Sequence, residues 1–422
     1  MGLSKVMVQT DKTLYGAGKS ALCPKTAFHI TRINFLKKIF STFRGIYGMQ
    51  RRFIYSLKTK TDVWTIEGKM GGVPQGTLRI LFAGPEIDKN YFTGLAFENG
   101  KASHVGKVSL WGLRALKKKL FTDCGLAIFR LERDIYTRFF SEGNRFYIPG
   151  WVGGSTGTAV PDETHSRKND IRKIKKYKFS YEVTQDEARF DDFYARMYLP
   201  YINGRYGNRA FLMSYQEMKK GAEICELMLV KKDGEYVAGN ILVYEGDTAR
   251  LWSLGIKDGR DDLIRTGVRG VTDYFCALHL RQKGYERMHY GYSRAFVNDG
   301  VLQFKKARGM SLIKSFPDFG FVITPLADST CVRSFFSKNP FIFLNNQGRL
   351  EGAVFPDEKD LGTTEDFNNI FKNSYIDGMD RINLFLSGEN KNSQGHYEKT
   401  VLIPAAIKDK IAVRSADTLF KN

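Results

Sequence analysis

The chain has 422 residues, of which 42% are apolar and 14% aromatic. That is more length than one ordinary core takes up, and enough apolar material to exclude wholesale disorder. The formal net charge is +20: residues 1–180 hold 32 Lys and Arg against 13 Asp and Glu, and residues 181–422 hold 33 against 32. Nearly all the excess sits in the first part of the chain, a field that attracts polyanions such as tRNA, anionic lipid headgroups or nucleotide-linked sugars.

No run reaches the roughly 18 apolar residues of a spanning helix. Residues 1–20 lack an apolar stretch followed by a small-residue cleavage site, and Val6 stands where a myristoylation signal needs Ser or Thr. The expectation is a cytoplasmic protein with no transmembrane segment and no lipid anchor. Cys23, Cys124, Cys225, Cys276 and Cys331 are scattered without a close pair, so neither a disulfide framework nor a zinc site is expected, and no metal.

In chain order, Phe35 to Leu57 is basic and aromatic, with apolar residues at 36, 39, 40, 43, 46 and 47 beside Lys37, Lys38, Arg44, Arg51 and Arg52. This spacing predicts a basic amphipathic helix, which either packs on its own domain or lies on the inner face of a membrane as a peripheral contact. VWTIEG (63–68), GTLRILFAGP (76–85) and YFTGLAFENG (91–100) read as strands broken by Gly and Pro. Residues 108–120 read as a helix, 125–131 as a buried strand, 134–140 as a short helix and 148–154 as a turn-rich segment.

Asn169 to Lys178 is a strongly basic helix candidate capped at Asn169 or Asp170. Its cations, interleaved with Tyr177, suit either a solvated face or a nucleic-acid backbone. FSYEV (179–183) alternates as a strand, and 186–201 reads as a helix limited by Pro200. Residues 224–256 form three strands joined by tight turns at Asp233-Gly234 and Gly246-Asp247. A helix over 267–283 ends at Gly284 in the C′ position. A strand (286–293), a short helix (301–310) and a last strand (315–324) follow, and the tail holds a helix plus a strand over 367–386 and a polar loop over 388–399. The order mixes antiparallel hairpins with one helical crossover, an α/β chain of mixed sheets and not a doubly wound parallel one.

That layout, with FYARMYLPYINGRYG (193–207), KKDGEYVAGNILV (231–243), GYERMHYGYS (284–293) and DGVLQFKKARG (299–309), resembles the second domain of Fem-type proteins, which carry two domains of the GNAT acyltransferase fold in tandem. The resemblance covers about 120–330. It implies a basic arm over 1–60, a diverged first GNAT-like domain over 61–175, a second over 176–340, and a C-terminal extension over 341–422. It further implies an N-acyltransferase that passes an acyl or aminoacyl group to an amine, on a cell-envelope or polysaccharide precursor. The donor would be an acyl-CoA or an aminoacyl-tRNA, and the partners polyanionic: CoA, tRNA or a nucleotide-linked precursor. A non-catalytic GNAT-fold binding module and a tRNA-dependent transferase are the rival readings.

The family's F-K-x-x-aromatic-G box corresponds to Phe304-Lys305-Lys306-Ala307-Arg308-Gly309, with Arg308 in the aromatic position. Lys305 is the first candidate, as a cation for an acyl-transfer oxyanion or for phosphate. Ile264 to Gly270 does not satisfy the CoA-binding pattern [QR]-x-x-G-x-[GA]. Even so, Gly267 and Gly270 at a helix start expose amides to an anion, and Arg265 and Arg269 add cations. Tyr292 is a candidate proton donor to a leaving thiolate, and His289, ahead of His279, His104 and His165, a candidate base. Gly16-Ala17-Gly18-Lys19-Ser20 is not a P-loop, because Thr13 stands where that motif needs Gly.

Overall fold

The computed structural model describes residues 60–71, 76–109, 123–139, 144–159, 165–207, 210, 212–222, 225–314, 316–387 and 400–420. The expected basic arm, apart from Lys60, lies outside them, as do most of the expected helix over 108–120 and the loop over 388–399.

The strands are β1 (Lys60–Lys69), β2 (Thr77–Ala83), β3 (Lys101–Ser109), β4 (Leu126–Glu132), β5 (Phe146–Pro149), β6 (Val152–Gly157), β7 (Ser180–Thr184), β8 (Cys225–Lys232), β9 (Glu235–Glu245), β10 (Thr248–Ile256), β11 (Arg287–Ser293), β12 (Ser311–Leu312), β13 (Phe319–Pro325), β14 (Phe341–Leu344), β15 (Leu350–Val354), β16 (Ile382–Leu386) and β17 (Ile411–Ser415). They form two mixed sheets, so the fold is mixed α/β. One has ten strands in the order β17-β16-β15-β14-β5-β13-β4-β2-β1-β3, the other seven in the order β12-β6-β11-β10-β9-β8-β7.

The sheets exchange strands. β6 leaves the first half of the sequence to lie between β11 and β12, and β13 returns from the second half to lie between β4 and β5. The last strand of the expected second domain therefore belongs to the other sheet. Residues after 340 extend that ten-stranded sheet through β14 to β17.

In the seven-stranded sheet, β8, β9 and β10 are the antiparallel meander read from the sequence, turning at Asp233-Gly234 and Gly246-Asp247. Gly234 and Gly246 have φ of 84° and 60°, left-handed values that a side chain would disfavour. One face packs on the helical run Glu187–Tyr206 through Phe193, Met197, Leu227, Leu229 and Ile241, all buried. The helix Val268–Gln282 lies against β9 and β10 and ends before Gly284, whose φ is 86°.

Three local expectations change. Residues 91–100, rich in β-formers, are not a strand but the end of the helix Glu86–Ala96, whose buried Asp88, Phe92 and Ala96 recur every four residues. Here packing overrides local propensity. The turn-rich segment at 148–154 holds the end of β5 and the start of β6. The helix expected to stop near Pro200 continues to Tyr206, because a π-helical turn at Tyr194–Tyr198 precedes a segment with Pro200 in its first turn, where the missing N–H costs little.

Candidate functional site

The site begins where two parallel strands part. β10 and β11 pair only at Ala249 with Met288 and Arg250 with His289. Just beyond, each strand carries a bulge. The register of β10 against β9 shifts between Leu251 and Ser253, and that of β11 against β6 shifts between His289 and Tyr292. Gly291 takes φ of 66° at the second bulge. Bulges add twist and bend the strand, so two at one level drive the strands apart.

A cleft of about 290 Å³ opens in the gap, lined by Asn240, Trp252, Ser253, Arg269, Tyr292 and Lys305 among others. A second cleft of about 500 Å³ shares Ile202, Tyr206, Tyr292 and Val301 with it and reaches Tyr91, Trp151, Arg205 and Arg294. The two therefore adjoin at the shared residues. The second is walled by side chains of both sequence halves. There Arg294, buried between the rings of Tyr91 and Trp151 (4.4 and 4.2 Å to their centroids), donates to Asp88 Oδ1 at 2.8 Å.

Lys305 is carried by the helix Gly300–Lys306, whose N-cap Asp299 accepts from the amides of Val301 (3.0 Å) and Leu302 (2.9 Å). Its Nζ is buried and donates to Tyr292 O and Ser293 Oγ, both at 2.9 Å. Burial pulls its pKa down to about 7, with Arg269 adding to the fall and Asp299 and Asp273 opposing it. The group thus holds a proton only loosely at neutral pH, while lining the smaller cleft.

Tyr292 is 44% exposed and lies at the junction of both clefts. His289 is buried and lines neither. Its Nδ1 accepts from the Gly291 amide at 2.9 Å, which leaves the proton of the neutral ring on Nε2, and burial lowers its pKa, helped by Lys305 and Arg250. Among the candidate bases, His279 pairs with Glu226 at 2.9 Å on the helix Val268–Gln282, and His104 with Asp62 at 2.8 Å on the first sheet.

Of the cofactor candidates, Arg269 lines the smaller cleft, stacked 3.7 Å from the centroid of Phe304, and enters no ion pair among the described residues. Arg265 is exposed and lines neither cleft. Gly267 caps the helix with φ of 82° and packs against Lys173. Gly270 is small for a structural reason: a Cβ there would collide with Arg308 and Asp170. Those two form a buried pair at 3.1 Å, and Arg308 Nε also lies 3.0 Å from Asp273 Oδ2. The arginine in the aromatic position of the box is thereby explained. It stacks 3.8 Å from the Phe304 centroid and knits the box to the helices His165–Tyr177 and Val268–Gln282. Arg269 and Arg308, both this close to one ring centre, occupy its opposite faces.

Sequence reasoning missed Arg205, Tyr206 and Asn240. Asn240 is 7% exposed, and its Oδ1 is buried with no hydrogen-bond partner among the described residues, at the edge of the smaller cleft. A lone amide inside the apolar strand YVAGNILVY was the available signal. The described residues gather no cluster of three or more His, Cys, Asp or Glu able to hold a metal, and contain no helix long and apolar enough to cross a membrane.

No family model matches the chain, and no curated protein matches it. Among solved structures it is similar to the C-terminal domain of a putative lysylphosphatidylglycerol synthetase from Agrobacterium fabrum, at 13% identity over 62% of this chain and 80% of that one, with a TM-score of 0.32. It is similar to L-PGS from Bacillus licheniformis at 13% identity over 64% and 84%, with a TM-score of 0.33. A structure of FemX gives 14% identity over 61% and 83%, also with a TM-score of 0.33.

Proposed function

We propose that the chain is an N-acyltransferase of the GNAT/Fem type, with its two sheets as the two GNAT-like halves and its reaction centre in the gap between β10 and β11. The carrying observation is that gap, opened by two facing bulges beside a buried lysine. Strand parting frees main-chain donors and acceptors for an extended acyl segment, and positioning in such a slot supplies much of the rate of acyl transfer. An acceptor amine attacks the acyl carbonyl, the C–N bond forms, and the C–S or C–O bond to the donor breaks. Lys305, in its charged form, stabilises the oxyanion. Tyr292, at the junction of both clefts, supplies the proton to the leaving group and regains one from the attacking amine. Arg269, with no carboxylate partner among the described residues, suits a phosphate-bearing donor, whether an acyl-CoA or an aminoacyl-tRNA.

A thermal-shift panel at fixed ionic strength tests the reading, with acetyl-CoA, longer acyl-CoAs, charged and uncharged tRNA and UDP-sugars, on the wild-type chain and on Arg269→Ala. A bound donor raises the melting point, and the shift shrinks in the variant. If no acyl donor binds and uncharged tRNA or a UDP-sugar binds wild type and variant alike, the binding-module reading replaces this one.

A further inference from the structure

The helix that carries Lys305 has seven residues, two turns, too few to hold a position unaided. Its outward side is held by the C-terminal segment, far along the chain. Lys306 Nζ donates to the carbonyls of Lys372 (2.6 Å) and Asn373 (2.8 Å), in the last turn of the helix Thr364–Ser374, where the carbonyls lack intrahelical partners and the helix dipole favours a cation. Gln303 reaches Asn373 O at 3.4 Å. Past the box, the Leu312 amide donates to Asp377 O at 2.7 Å, and Ser311 Oγ donates to Asp377 Oδ2. Gly378 lies so close on Leu312 that a Cβ would collide with its carbonyl, and its φ of 91° is a left-handed value. Both ends of the segment Phe304–Gly309 are thus gripped by residues 372–378. Ile376 and Met379, buried at 1% and 2% exposure, anchor that stretch from within.

We infer that residues 372–378 are a positioning clamp for the reaction centre: by holding Lys306 outward and β12 in place, they fix the rotation and depth of the short helix and so aim Lys305 into the cleft. Adjacent residues on a helix point about 100° apart, so an anchor on Lys306 sets the direction of Lys305. Lys306 and Gly378 are positioning residues; neither lines a cleft. The catalytic meaning rests on the acyltransferase reading. The mechanical claim does not.

The test is competitive amine labelling of the intact chain with a small acylating reagent between pH 5.5 and 10.5, read lysine by lysine by mass spectrometry. In the wild type, Lys305 titrates near neutral pH and labels more slowly than surface lysines at full deprotonation. Gly378→Ala changes no charge but pushes the segment off Leu312. It should raise the Lys305 midpoint by about one pH unit and speed its labelling as the amine gains solvent, with the circular dichroism spectrum retained. Lys306→Met should do the same through a contact outside the core, so it decides the matter if the glycine variant unfolds, and Lys306→Arg should restore the wild-type profile. A Lys305 midpoint and rate unchanged in a folded Lys306→Met or Gly378→Ala protein overturn the clamp, as does a wild-type Lys305 that titrates and labels like a surface lysine. Because the readout needs no substrate, failure to find acyl transfer leaves this result standing, and failure of the clamp leaves the transfer reading to its own test.

Discussion

Lys305 Nζ lies 2.9 Å from Ser293 Oγ, tying the short helix after β11 to that strand's end at the mouth of the gap. The bond locates the amine, which has no paired carboxylate among the described residues, so burial dominates and the folded-state pKa falls to about 7, against about 10.5 in the unfolded chain. Below pH 7 both states are protonated and folding bears the whole cost of the buried charge. Between about 7 and 10.5 only the unfolded state keeps the proton, so stability rises with pH in that window. Lys305→Met should therefore be most stabilising, relative to wild type, below pH 7, with the gain shrinking toward pH 10 in urea titrations at both ends. Catalysis should show the opposite trend: a Lys305-dependent component of kcat that declines above pH 7, and a loss of roughly 10²–10³-fold in the Met variant, as for removal of an oxyanion donor.

Arg294 and Asp88 are 206 positions apart, with side chains 8% and 4% exposed. The carboxylate also accepts from Arg130 Nη1 at 3.0 Å. Removing the shared anion strands two guanidiniums, one of them deeply buried. Asp88→Ala should cost about 3–5 kcal/mol in chemical denaturation, the size expected when a buried pair loses one member. A double-mutant cycle with Arg294→Met should show coupling, because the Met variant has less charge left to strand. Additive losses would mean that the pair contributes nothing specific to joining the two halves.

What the sequence made legible is local. The meander showed in apolar runs cut by tight turns at Asp233-Gly234 and Gly246-Asp247, and the helix after 267 in its end signal at Gly284. The box Phe304–Gly309 was readable as text, although the partners that give Arg308 its meaning, Asp170 and Asp273, are 138 and 35 residues away. The strand exchange could not be read, since both β6 and β13 are buried almost throughout, and nothing local to either strand says which sheet receives it. The helix Glu86–Ala96 was hidden because Tyr91, Phe92 and Thr93 favour strands, and only Asp88 seeking Arg294 and Phe92 seeking the Phe321 ring (4.8 Å between centroids) make the helical face the buried one.

Gly270 separates two explanations of the same residue. A glycine at a helix start suits close approach of a phosphate, yet here the space beside its Cα is filled by Asp170 and Arg308. Gly270→Ala would ordinarily stabilise a helix, by up to about 1 kcal/mol. In this setting it should instead destabilise by about 1–3 kcal/mol, by forcing apart a packed ion pair. Thermal melts measure that directly, and the donor affinity of the variant, taken well below its melting point, should stay within a few-fold of wild type. A large loss of affinity with stability intact would return Gly270 to the phosphate site.

Asn240 carries the clearest opposition between fold and use. Its Oδ1 is buried without a partner among the described residues, a state costing roughly 1–3 kcal/mol. On β9 it faces Leu254 of β10 across the pair and Met228 of β8 on the other side, in surroundings that an apolar side chain would suit better. Asn240→Leu should therefore raise the melting temperature. If the amide serves the cleft, the same change should weaken donor binding, because a polar group of the ligand would then meet a methyl group; an aspartate at this position would separate the need for an acceptor from the need for an amide. A variant more stable and equally able to bind would make Asn240 a tolerated flaw of the core. One more stable and deficient would make it a residue kept at the expense of stability, which is the pattern expected of a binding site.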